Sequence, residues 1–130
     1  MNRKFLILVS LFIISVSLFA QNVKFTAFVT KKVVRQGEQF QLKYTVNESG
    51  TSFRPAAFRD FNVLSGPNTS RSSSSSIING QISKSIEYTY AYYLSAKKIG
   101  KFTIAQAQIN VGGKIYKSNP VTIEVIKSAN

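Results

Sequence analysis

Cysteine, histidine and tryptophan are absent from the 130 residues, methionine occurs once, and only five side chains are acidic. Without cysteine there is no disulfide frame and no thiolate nucleophile, and without histidine there is no imidazole base. Zinc and copper lose their commonest ligands. A lipid-anchored start is also excluded, because that route needs a cysteine at the cut. The acids are Glu38, Glu48, Asp60, Glu87 and Glu124, and no two of them share a predicted strand. Hydrolysis by a carboxylate pair needs two such groups roughly 5–9.5 Å apart across a cleft. Ser70–Ser76 offers a cluster of hydroxyls with nothing beside it to activate one. The expectation is a non-catalytic protein with no cofactor and no metal.

Helical periodicity is missing too, except in the first twenty residues. There Arg3 and Lys4 precede an apolar run from Phe5 to Phe19, broken only by Ser10, Ser15 and Ser17, and Ala20 offers a small residue before Gln21. Fifteen residues at ~1.5 Å each span roughly 22 Å, short of the ~30 Å hydrocarbon core. Residues 1–20 therefore read as a cleaved signal peptide and 21–130 as one domain, exported to the periplasm or cell envelope. The net charge is +12, and removal of Arg3 and Lys4 with the signal leaves +10. No nucleic-acid motif accompanies this charge. An acidic protein, an anionic envelope polymer or a phospholipid surface suits an exported basic domain better, and some lysines will simply keep strand edges unpaired.

What remains is β-sheet patterning. Val23, Phe25, Ala27 and Val29 alternate with polar neighbours, as do Phe40, Leu42, Tyr44 and Val46. In Gln81–Val111 the even positions Ile82, Ile86, Tyr88, Tyr90, Tyr92 and Leu94 form one apolar face. Phe61–Leu64 reads as a short strand closed by Ser65-Gly66-Pro67, and Phe53, Phe58 and Phe61 as plugs for the end of the core. Asn79-Gly80 is a two-residue hairpin turn, which pairs Ile78 with Gln81, Ile77 with Ile82, Ser75 with Lys84 and Arg71 with Tyr88. The serine run is thereby a strand rather than a linker, and the hairpin tip projects beyond the core. After Gly100 the apolar phase moves from even to odd positions, which predicts a bulge near Ile104-Ala105. Gly112-Gly113 turns the chain into a last strand from Lys114 to Lys127, where Pro120 marks a bulge, a strand switch or an edge. About seven strands at this spacing predict an all-β, immunoglobulin-like β-sandwich, with a small open barrel as the alternative.

In order and spacing, Phe61-Asn62-Val63-Leu64-Ser65-Gly66-Pro67, the serine run to Ile78-Asn79-Gly80, Tyr92-Tyr93-Leu94, Gly100-Lys101-Phe102-Thr103-Ile104 and Val111 to Val121 resemble the Bacteroides aerotolerance family BatD, also called the oxygen-tolerance family. The resemblance implies an exported protein with a signal and tandem immunoglobulin-like domains, usually with a later membrane segment. This chain would correspond to the signal and the first domain, membrane-associated only through partners or a missing C-terminal part. The resemblance also implies an envelope complex with von Willebrand A-domain membrane proteins, and it carries over no catalytic residue. The expected role is protein–protein interaction in the cell envelope, with Ile77, Ile78 and Ile82 at the hairpin tip as the possible partner contact, although apolar residues so placed more often fold back on their own domain, which is the favoured reading of these three. The alternative is a binder of carbohydrate or anionic polymer, using Tyr93 and Tyr116 beside Lys and Arg.

Overall fold

In the computed structural model, residues 22–129 are described and every regular element among them is a strand. The expected signal at 1–20 lies outside the described residues. In chain order the strands are β1 (Phe25–Val29), β2 (Val33–Arg35), β3 (Gln39–Val46), β4 (Thr51–Arg54) and β5 (Phe61–Ile78). They continue with β6 (Gln81–Ala96), β7 (Gly100–Ile104), β8 (Gln108–Val111), β9 (Lys114–Lys117) and β10 (Val121–Ile126). They form three open sheets, ordered β1-β3-β6-β5, β2-β10-β7 and β4-β8-β9. The two smaller sheets pack on the first and share one core with it, so the fold is an immunoglobulin-like sandwich and not a barrel.

The strand count is ten rather than about seven, and each difference has a local cause. The phase change after Gly100 is no bulge. β7 ends at Ile104, residues 105–107 cross between sheets, and β8 restarts beside β4 and β9. Ile104 and Ile109 are both buried although their parity differs, because they face the core from different sheets. The segment Lys114–Lys127 is likewise two strands, and Pro120 marks the switch between them. β2 is only three residues long and pairs in parallel with β10. Phe61–Leu64 is the start of the same strand that carries the serines.

The core follows the sequence period. Phe40, Leu42, Tyr44 and Val46 alternate inward along β3, and Tyr92 and Leu94 continue that layer on β6. Opposite them lie Ile109 and Val111 from β8, and Ile123 and Val125 from β10. Phe61 meets Phe40 edge-on at 5.4 Å between centroids, Phe58 meets Tyr92 at 5.0 Å, and Phe53 stacks on Tyr90 at 4.2 Å. All three phenylalanines therefore plug the core, as the sequence predicts.

Tyr44 is fully buried, and its hydroxyl has no protein partner among the described residues. Burial pushes its phenol well above the ordinary tyrosine range. A buried unpaired hydroxyl costs about 1–3 kcal/mol. Tyr44→Phe keeps the ring against Phe53 and Tyr92 and removes that cost. The melting temperature should hold or rise, and a clear fall in a thermal melt would show that the hydroxyl contributes to stability.

Candidate functional site

β5 and β6 are far longer than their neighbours, at 18 and 16 residues. The sandwich covers only one end of the pair. Phe61 is buried, and every later residue of β5 is exposed, as is every residue of β6 up to Glu87. Burial returns gradually, with Tyr88 and Tyr90 half-buried at the rim and Tyr92 and Leu94 inside. The outer part is a two-stranded ribbon. Ser70–Ile78 alone reaches roughly 27 Å at ~3.4 Å per residue.

The register is the one that Asn79-Gly80 dictates. Both turn residues take positive φ, 52° and 77°, as a type I′ turn requires. Ile78 faces Gln81, Ile77 faces Ile82, Ser75 faces Lys84 and Arg71 faces Tyr88. Nearer the core, β5 carries two single-residue register shifts, between Val63 and Ser65 and between Ser65 and Asn68. Because facing alternates every residue, two such shifts together restore it. The odd positions of β5 therefore lie on the core-facing side at Phe61 and Val63 and again from Thr69 to Ile77, while Ser65, between the shifts, pairs with Tyr93 on the other face.

This gives the ribbon two unlike faces. One continues the core layer outward, pairing Thr69 with Tyr90, Arg71 with Tyr88, Ser73 with Ile86, Ser75 with Lys84 and Ile77 with Ile82. The Arg71 guanidinium lies over the Tyr88 ring, 5.9 Å from its centroid. The opposite face is almost wholly hydroxyl, with Ser70, Ser72, Ser74 and Ser76 beside Thr89, Glu87, Ser85 and Ser83. The Ser74 and Ser85 hydroxyls hydrogen-bond to each other across it. The even positions of β6 do form one apolar face, but only its inner end is core. Ile77, Ile78 and Ile82 are 74%, 65% and 68% exposed, so the tip isoleucines do not fold back on the domain.

Other sequence candidates are not brought together. Tyr93 is exposed on the four-stranded sheet, whereas Tyr116 packs against the core from β9 with the Lys114 ammonium 5.4 Å from its ring centroid. The carboxylates stand on separate elements. Glu38 accepts from the Lys31 ammonium and from the Arg35 backbone N–H at 2.8 Å, and these two bonds hold its pKa below the usual carboxylate range. The described residues include no cluster of acids suited to a metal, and no helix there is long and apolar enough to cross a membrane.

Sequence reasoning missed Asn119. Its side-chain amide copies a ladder rung: Oδ1 accepts from the Ala27 N–H at 2.8 Å and Nδ2 donates to the Ala27 carbonyl at 2.9 Å. The preceding Ser118 is buried, and its Oγ accepts from the Ala107 N–H at 2.9 Å. Ser118-Asn119-Pro120 is therefore a structural clasp. The sequence signal for it was a polar pair beside a proline in a chain otherwise ending in alternation.

Residues 27–125 match the family model described as BatD DUF11 like domain. No curated protein matches the chain. Among solved structures it is similar to a cohesin module from Clostridium perfringens ATCC13124 family 33 glycoside hydrolase, at 10% identity and a TM-score of 0.42, covering 82% of this chain and 100% of that module.

Proposed function

The chain belongs to the BatD family, and from that premise we propose that it is an exported, non-catalytic interaction module of the cell envelope whose projecting hairpin docks a protein partner. The observation that carries this reading is the overhang. A core-type face bearing Ile77, Ile82 and Ile86 continues past the sandwich and is left exposed among the described residues. Apolar residues grouped in that way mark an interaction surface more often than they serve a monomer. Family resemblance supplies the partner class, von Willebrand A-domain membrane proteins, and the link to oxygen and stress tolerance. Removal of residues 1–20 as a signal peptide, and action in the periplasm, belong to the same proposal. The polymer-binding alternative has less support, because Tyr93 and Tyr116 do not share a face.

The test uses the full chain, tagged and expressed with its leader in an envelope carrying the family's neighbouring proteins, followed by cross-linking. Ile77→Ser with Ile78→Ser should remove most of the captured von Willebrand A-domain protein. The melting temperature should move little, since exposed positions contribute under about 0.5 kcal/mol each. Undiminished capture would remove the hairpin from the interface.

A further inference from the structure

The outer edge of β5 is the longest free strand edge among the described residues, and it is scarcely guarded. β5 ends the order β1-β3-β6-β5. Every other edge is short or protected. β1 has the Asn119 amide against it, β7 carries Lys101, β9 carries Lys114 and Lys117, and β2 and β4 have three and four residues. From Asn68 to Ile78, by contrast, β5 has one charge, Arg71, and no proline. Such an edge is a ready template for another strand.

Its backbone polarity follows from the turn. A two-residue loop makes Ile78 and Gln81 a hydrogen-bonded pair, and bonded pairs alternate along an antiparallel ladder. Ser76, Ser74 and Ser72 therefore bond to β6, while Ile77, Ser75, Ser73 and Arg71 turn their N–H and carbonyl groups outward. The side chains of those four lie on the apolar and basic face. Ser73 and Ser75 are too small to fill the space beside Ile86 and Lys84. A trough of about 410 Å³ results, lined by Arg71, Ser73, Ser75, Lys84 and Ile86 together with two serines of the other face.

We propose that β5 takes up an extended strand from a protein partner, one that carries a carboxylate toward Arg71 and Lys84 and apolar side chains over Ser73 and Ser75. This deepens the hairpin-docking reading and rests on it. Backbone rungs supply affinity in strand addition, and alternate side chains supply selectivity. The face holds two cations and no acid, so its complement is acidic. A second copy of this chain suits it poorly, since it would bring the same arginine and another large positive charge.

The probe is a fluorescent peptide of alternating threonine and valine with one central glutamate in place of a valine, beside the same peptide with lysine there. Anisotropy at low salt should show the glutamate peptide binding about tenfold more tightly, and Arg71→Glu should reverse that order. Ser73→Pro removes an outward donor and leaves the β6 ladder intact, so it should abolish peptide binding with little change in melting temperature. Should that variant unfold, the Arg71→Glu reversal decides alone. Equal binding of both peptides, or binding that survives Ser73→Pro in a folded protein, overturns the proposal. So does a dimer in sedimentation that Ser73→Pro dissolves, because the edge would then belong to a second copy. If envelope capture is lost in the Ile77→Ser, Ile78→Ser variant but kept in Ser73→Pro, the edge proposal fails and hairpin docking stands. If neither variant alters capture, both fail.

Discussion

Replacing Asn119 with alanine is expected to lower the melting temperature by roughly 10–20 °C, reading about 2–3 kcal/mol through the usual slope for a domain of this size. The side chain is small, but its position is costly to vacate. Ala27 lies on β1, the outermost strand of the four-stranded sheet, and is 7% exposed. Its outward N–H and carbonyl are both satisfied by the Asn119 amide, at 2.8 and 2.9 Å. Alanine leaves two largely buried backbone groups without partners, at about 1–3 kcal/mol apiece before any water reaches them. Asn119→Asp should be nearly as damaging, because a carboxylate can accept from the N–H but cannot donate to the carbonyl. A shift of only a degree or two in either variant would mean that the clasp is dispensable. Soluble yield should fall together with stability, since an unclasped β1 joins the exposed edges.

The second large effect is expected at Gly66. Its φ of 124° is a conformation that side chains avoid, and an added Cβ would stand 2.7 Å from the Ala91 carbonyl oxygen and 3.0 Å from the Tyr92 Cα. Both neighbours are backbone of β6, so neither can swing aside. Strain of this kind costs about 1–3 kcal/mol, and the contact adds to it. Gly66→Ala should therefore lose about 3 kcal/mol in a denaturant titration. Gly80→Ala is the comparison, having a positive φ and nothing within 4 Å, and its loss should be the smaller. Equal losses would mean that β5 parts from β6 at the register shifts at no cost.

Period and turn chemistry were enough to place the faces. The alternation in β1 and β3, the Asn79-Gly80 register and the strand character of the serine run all follow from local rules, and the structure has them. What lies opposite a face is not a local property. The apolar positions Ile82 and Ile86 look like Tyr92 and Leu94 in sequence, yet only the latter have a second layer over them. β2 is not legible in the sequence because three residues carry no period and the residues it pairs with on β10 lie 91 positions further along the chain. The change of parity after Ile104 was visible, but a bulge and a passage between sheets leave the same trace in a sequence. The site was half legible for the same reason. Ile77, Ile78 and Ile82 were readable as a tip, whereas the free β5 edge depends on which strand ends the sheet.

The restored facing across the two register shifts also limits how the arm can change length. Removing one rung, a residue from each strand between Ser70 and Thr89, would turn Ile77 and Ile82 onto the serine side. Removing two rungs would keep them where they are and draw the tip in by roughly 7 Å. Viable arm lengths in relatives should therefore be quantised in steps of two rungs, and a loss or gain confined to one strand should be matched by another shift in that strand.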